Sequence, residues 1–270
     1  MKQILSLIII VFLILPLVSQ EPTGREIMEK VILKTGWQDM EAEITMTITL
    51  RGRQRIRKIK MYSRKRTETE SDMVMKFLYP PDVKGTGFLL IEHDQGEDER
   101  YLYLPALRRI RRIAASGQGG AFMGSDFSYY DIGKPKLNDW QYKNLGLVKL
   151  KGRQCYQIEA LPATPQIEKD TGYSRIIHWI DPEKWSALQA EYYDRRGKLW
   201  KVLEIKEIQK INEVWFQTHL LMKNVSSGGQ SEMKFEKIEI NKGLSPQISV
   251  SYTHLRAHET RHDLVCRLLL

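Results

Sequence analysis

The sequence predicts a mainly β protein: one antiparallel sheet of roughly eleven strands curled around an interior, preceded by a single helix of any length. Three observations carry this. Between residues 41 and 50, Ala42, Ile44, Met46, Ile48 and Leu50 alternate strictly with Glu41, Glu43, Thr45, Thr47 and Thr49, which gives a strand one buried and one wet face. In the second half, turn signals recur roughly every 8 to 12 residues, the spacing of an antiparallel sandwich or barrel. The chain shows no internal repeat, linker or low-complexity tract that would divide the strands among several domains.

Both ends of the 270 residues stand apart. Residues 1–20 carry Lys2, an apolar run from Ile4 to Leu17, then Val18 and Ser19, the layout of a secretory signal peptide cleaved after Ser19. The run falls short of the roughly 20 apolar residues of a transmembrane helix. From Val250 to Leu270 the chain reads VSYTHLRAHETRHDLVCRLLL, which resembles the translated read-through of a sequencing-library adapter. Its His254, His258 and His262 stand at helical i, i+4 spacing, yet they are set aside with the whole tail as non-native, and the authentic C-terminus is expected to be missing. The expected layout is a signal peptide at 1–20, one domain at 21–249 and a non-native tail at 250–270. Without the two ends the net charge falls from +9 to +7, still a balance that favours anionic surfaces or acidic partners. Cys155 is then the lone cysteine, so no intrachain disulfide is expected.

Taken in order, Thr23 opens a helix that runs toward Trp37: Thr23 with Glu26 forms a capping box, and Ile27, Met28, Val31, Ile32 and Lys34 make its stripe. So short an amphipathic helix is marginal alone and must lie on a sheet. The strand of residues 42–50 turns at Gly52, and Ile59 and Met61 continue in a strand rich in Arg55, Arg57, Lys58 and Lys60. Met73, Met75 and Phe77 repeat the alternation before Pro80 and Pro81 break it. Val83 to Glu92 gives a turn and an apolar strand, and an acidic loop leads into Tyr101 to Leu104. Six further strands are expected around Cys155 to Ala160, Tyr173 to Ile180, Ala187 to Tyr193, Leu199 to Ile205, Val214 to Met222 and Met233 to Ile240.

The most unusual stretch is Tyr101 to Asp131, which joins an aromatic strand, four arginines, a glycine-rich bend and a second aromatic segment. Arg108, Arg109, Arg111 and Arg112 interleave with Ile110 and Ile113, so a strand there carries charge on both faces and belongs at an exposed edge. The charges serve equally well to discourage strand addition at that edge or to meet lipid phosphates or an acidic partner surface. Ser125 and Asp126 read as caps of a helical turn, because no base stands near enough in sequence to activate a nucleophile. There is no zincin, P-loop, nucleophile-elbow or Cys-x-x-Cys motif, and His93, His178 and His219 scatter over separate elements. No enzyme activity, metal or cofactor is expected, and no nucleic-acid partner for an exported chain without a binding module. The many methionines suit an adaptable apolar cavity as well as a packed core.

FLYPPDVKGTGFLL from Phe77, YLYLPALRRIRRI from Tyr101, FMGSDFSYYD from Phe122, GYSRIIHWID from Gly172 and YYDRRGKLWK from Tyr192 stand in that order, and together they resemble the LolA-like outer membrane lipoprotein-sorting proteins, in the exported branch found beside RND-type exporters. The resemblance covers about Thr23 to Leu244. It implies an incomplete antiparallel β-barrel of about eleven strands with a helical lid over an apolar cavity, in a periplasmic carrier of lipoprotein or lipid acyl chains toward the outer membrane. The partners it implies are an inner-membrane RND-type exporter and an outer-membrane acceptor. Where the family continues with a further strand after Leu244, this chain has the adapter-like tail. The residues assigned to cavity and lid are Ile44, Met46, Ile48, Met73, Met75, Phe77, Leu102, Leu104, Phe122, Met123 and Phe127, with Gly117 to Asp131 as a flap and Arg108, Arg109, Arg111 and Arg112 as a partner or headgroup docking edge. The alternative is an accessory subunit that docks to an RND exporter and carries nothing.

Overall fold

The computed structural model describes residues 21–33 and 36–244; the leader-like residues 1–20, the tail at 250–270 and Lys34 of the helical stripe lie outside the described residues. Helix α1 (Gly24–Leu33) is followed by β1 (Asp39–Leu50), β2 (Arg53–Lys65), β3 (Ser71–Tyr79), β4 (Gly87–Ile91), β5 (Glu99–Leu104) and β6 (Arg109–Ile113). After an irregular segment come β7 (Trp140–Leu150), β8 (Arg153–Pro162), α2 (Pro165–Thr171), β9 (Tyr173–Asp181), β10 (Ser186–Asp194), β11 (Leu199–Ile211), β12 (Val214–Asn224) and β13 (Gln230–Ile240). All thirteen strands belong to one antiparallel sheet, ordered β6-β5-β4-β3-β2-β1-β13-β12-β11-β10-β9-β8-β7. Two meanders meet where β1 pairs with β13, and the barrel stays open between β6 and β7.

The sheet has thirteen strands where the sequence predicts about eleven, and the two additions have different causes. β6 is RIRRI, whose charges hide any alternation. In β7 the ladder to β8 slips between Asn144 and Leu147, and Leu145 and Leu147 are exposed, so the hydrophobic residues show no period of two although burial alternates along the strand. These two strands are the edges of the sheet.

One face of the sheet is apolar along nearly its whole length. Ala42, Ile44, Met46 and Ile48 of β1 join Ile59 and Met61 of β2, Phe88 and Leu90 of β4, Tyr173 and Ile176 of β9, and Met222 and Met233 of β12 and β13 in one buried cluster, so the sheet curls around this face. In β4, Phe88 and Leu90 point inward, whereas Leu89 and Ile91 join Val74 in a small cluster on the outer face. A second outer cluster holds Cys155, Ile177 and Trp179. Because successive antiparallel turns return to the same side, the barrel has two distinct ends. One gathers the β1–β2, β3–β4, β5–β6 and β12–β13 turns; the other gathers the β7–β8, β9–β10 and β11–β12 turns.

The helix forms as its capping box predicts: the Thr23 N–H donates to Glu26 Oε2 at 2.7 Å and the Glu26 N–H to Thr23 Oγ1 at 3.2 Å. It begins against β7, where a Cβ on Gly24 would stand 2.8 Å from the backbone nitrogen of Asn144, so a larger residue would push the helix off the sheet. Its Ile27 and Met28 pack on Ile158 and Ile180. Among the described residues no helix is long and apolar enough to cross a membrane.

Candidate functional site

The connection between the two edge strands, residues 114–139, folds into the concave face as a plug. Phe122 is fully buried, with its ring centroid 5.1 Å from Phe88 and 6.1 Å from Phe77, and Phe127 lies in the same cluster. Aromatic packing of this kind stabilises beyond the area it buries. Ser125 donates to the Phe122 carbonyl at 2.7 Å, and Ser231 Oγ of β13 donates to Asp126 Oδ2 at 2.7 Å while accepting from the Asp126 N–H at 2.9 Å. These two residues fix the bend, but no helical turn carrying Phe127, Tyr129 and Tyr130 follows them: Ser125 instead closes the short 3-10 turn Phe122–Gly124 that precedes it. On the far side of the plug the Gly119 N–H donates to the Asp170 carbonyl at 3.0 Å, and a Cβ on Gly119 would stand 2.8 Å from Thr171 O. Backbone-to-backbone approach of this kind needs glycine.

Deeper in, the plug is tied to the wall by charge. Asp131 exchanges hydrogen bonds with Ser128, the Ser128 N–H donating to Asp131 Oδ2 at 2.7 Å and the Asp131 N–H to Ser128 Oγ at 3.1 Å. The Tyr173 hydroxyl lies 2.9 Å from both Asp131 carboxylate oxygens, and Lys201 Nζ donates to that hydroxyl at 3.1 Å and stands 3.6 Å from Asp131 Oδ2. Both charged side chains are only 4% exposed. Burial, with the Asp131 charge beside it, pushes the Tyr173 phenol well above its ordinary range, so Tyr173 remains a neutral donor.

The other end of the concave face is not filled. Between α1 and strands β9 to β12 lies a cavity of about 430 Å³, within the range of small-molecule sites. Met28, Val31 and Ile32 of α1 form its roof, and Ile180, Ala190, Tyr192, Leu203 and Phe216 line its wall. Tryptophans and lysines surround its mouth: Lys30 Nζ stands 4.3 Å from the centroid of the Trp185 ring, Lys184 Nζ 5.2 Å from Trp215 and Lys134 Nζ 5.7 Å from Trp37. Asp181 shapes this rim by accepting from the N–H groups of Glu183 at 2.9 Å and Lys184 at 3.0 Å. Lys134 is anchored through its own N–H, which donates to Glu92 Oε1 at 2.7 Å, and burial lowers the pKa of its ammonium.

His178, which the sequence reading sets aside as structural, lines this cavity, facing inward in register with Ile158 and Ala190. Burial alone lowers its pKa from 6.5 to about 4, so it is neutral near pH 7. Folding stability is therefore expected to be whole above pH 6.5 and to fall between pH 6.5 and about 4, where the unfolded chain takes up a proton that the folded chain refuses. The loss is of order 3 kcal/mol at most. Urea midpoints measured across this window should lose much of their slope in His178→Gln; an unchanged slope would place the titration elsewhere.

The eleven residues assigned to cavity and lid come together, but in the packed cluster around the plug. Ile44, Met46, Ile48, Met75, Phe77, Leu102, Phe122 and Phe127 are buried there, and Met73, Leu104 and Met123 pack at its margin. None of them lines the cavity beneath α1. Packed cluster and cavity share Ala190, Tyr192 and Leu203, so the wall is continuous between them. The signal for the cavity was present in the aromatic residues that follow the turns at one end, Trp185 and Trp215, but it required knowing that α1 lies over β7 and not over β1. Arg109, Arg111 and Arg112 are exposed on edge strand β6, and Arg108 is exposed in the turn before it with φ of 46°. Among the described residues no three His, Cys, Asp or Glu side chains are grouped as metal ligands.

Comparison with known proteins places this architecture. A family model described as "-like: Uncharacterized protein" matches residues 69–250. Among solved structures, a DUF1329 family protein from Desulfovibrio piger superposes with a TM-score of 0.78 at 28% identity, covering 83% of this chain and 94% of that one. A domain from Vibrio parahaemolyticus assigned as outer membrane lipoprotein-sorting gives 0.77 at 29% identity, covering 82% and 94%. A LolA superfamily protein from Nitrosomonas europaea gives 0.66 at 15% identity, covering 84% and 97%, a likeness of fold alone. No curated protein matches the chain.

Proposed function

This chain belongs to the LolA-like outer membrane lipoprotein-sorting protein family, and we propose that within it the chain is a periplasmic carrier that holds lipoprotein or lipid acyl chains and passes them toward the outer membrane. The observation that carries this reading is the apolar cavity of about 430 Å³ between α1 and the sheet. A methylene moved from water into such a space gains about 0.8 kcal/mol, so one acyl chain gains several kcal/mol and does not cross water unaided. The packed cluster of Met75, Phe77 and Phe122 adjoins the compartment only through the shared wall residues Ala190, Tyr192 and Leu203, and Lys184 and Trp185 form the rim where an acyl chain enters. Lipid extraction of the purified protein followed by mass spectrometry tests the reading. Recovered acyl species, and uptake of a fluorescent fatty acid by delipidated protein, are expected. A protein that is empty as purified and takes up no fatty acid would sink it.

A second reading, an accessory subunit docked to an inner-membrane RND-type exporter, draws on the exposed arginines of β6. Changing Arg108, Arg109, Arg111 and Arg112 to glutamine should then abolish co-purification with the exporter, while an interior substitution such as Met75→Arg leaves it intact. Retained co-purification in the arginine variant, or uptake of fatty acid by the wild type, would count against it.

A further inference from the structure

The end of the barrel opposite the α1 cavity has a surface that the carrier reading does not use. The β1–β2, β3–β4, β5–β6 and β12–β13 turns lie side by side there. A Cβ on Gly229 would stand 3.3 Å from a Leu50 methyl, and one on Gly85 would stand 3.6 Å from Pro105. The exposed large apolar side chains of the described residues concentrate on these turns: Leu107 is 63% exposed, Val225 55%, Leu78 50% and Tyr79 49%, with Leu50 and Ile56 beside them. Two arginine runs that are far apart in sequence, 51–57 and 108–112, lie at this same end, with β3, β4 and β5 between their strands.

One side chain here is a free donor. Arg57 of β2 is paired across the ladder with the inward-facing Met46, so its side chain enters the concave face. It is 9% exposed, and its buried Nε and Nη1 have no hydrogen-bond partner among the described residues. Arg55 beside it opposes its charge, and Asp82, the carboxylate whose field it feels, forms no ion pair with it among the described residues. A buried guanidinium without an acceptor is destabilising unless an anion supplies one.

We infer that this end docks the protein on an anionic lipid bilayer, with Leu107, Tyr79 and Leu78 entering the interface, Arg53, Arg55 and Arg109 meeting lipid phosphates, and the unpartnered Arg57 taking one phosphate. Apolar tips surrounded by arginines match such a surface, because each basic residue near anionic headgroups adds to binding while the apolar side chains enter the interface. The bidentate guanidinium suits a phosphate better than an ammonium would. This inference is independent of whether the α1 cavity holds cargo.

Flotation of the purified protein with vesicles of phosphatidylcholine and phosphatidylglycerol, against vesicles of phosphatidylcholine alone, tests it. Binding to the anionic vesicles only is expected, with a fall of roughly 100-fold in the variant Arg53→Gln, Arg55→Gln, Arg109→Gln. Leu107→Asp should weaken it as well, whereas Lys30→Gln with Lys184→Gln at the opposite end should leave it unchanged. Arg57→Met separates docking from folding: it should keep or raise the thermal midpoint and still lose several-fold in vesicle affinity. Equal binding to both vesicle types, loss that follows the lysine variant instead, or a thermal response to inorganic phosphate without vesicle binding would each overturn the inference. Fatty-acid uptake measured without vesicles reports separately on the cavity.

Discussion

Replacing Asp131 by asparagine is expected to destabilise the protein by about 3–5 kcal/mol, because it leaves the Lys201 ammonium buried beside Tyr173 without its counter-charge. Lys201→Met should cost a similar amount for the converse reason. In a domain of this size the thermal midpoint should fall by on the order of 10 °C. The double variant Asp131→Asn, Lys201→Met should recover much of the loss, since the uncompensated charge is gone. Urea denaturation of the four proteins measures the cycle. Additive losses in the double variant would show that the pair is not coupled, and near-zero losses in both single variants would show that the plug is held by its aromatic residues alone.

Ala190→Trp should abolish most cargo binding while the protein stays folded. Ala190 stands on the cavity wall, cross-strand from His178, and an indole there takes space that an acyl chain would otherwise occupy. Excluding two or three methylenes removes about 2 kcal/mol, a fall in fatty-acid affinity on the order of 30-fold. The larger side chain costs about 1–3 kcal/mol if neighbours must shift. Leu188→Trp on the outer face of the same strand is the control, since Leu188 packs with Ile177 and Trp179 away from the cavity. Titration of a fluorescent fatty acid compares the three. Equal affinity in wild type and Ala190→Trp would move the site elsewhere.

Much of the fold was legible because the inward face of each strand repeats with period two. Ile44, Met46 and Ile48 could be placed on one face from spacing alone, and β1 bears that out. What escaped was local or long-range in origin. The bulge near Gly146 and the exposed Leu145 and Leu147 hide β7 from a hydrophobic reading, whereas the exposed edge read from the arginines of RIRRI is the edge strand β6. The cavity escaped for another reason. Apolar strands such as Phe77 and Leu102 are apolar because a plug packs on them, whereas an empty space is left where α1 bridges strands that are more than a hundred residues away in sequence. His178 carried no motif, and only its position under that bridge gives it a role.

The gap between β6 and β7 has a mechanical consequence. In a closed barrel strand number and stagger fix the radius, so the interior cannot widen without breaking ladder hydrogen bonds. Here the ladder is a clip and not a hoop. Its two edges are joined in sequence by residues 114–139, so widening the opening by easing the plug out would break none of the twelve strand pairings. The contacts of Phe122 and Asp131 therefore act as the spring constant of the clip, and the volume offered to a guest is set by how firmly that one segment is seated.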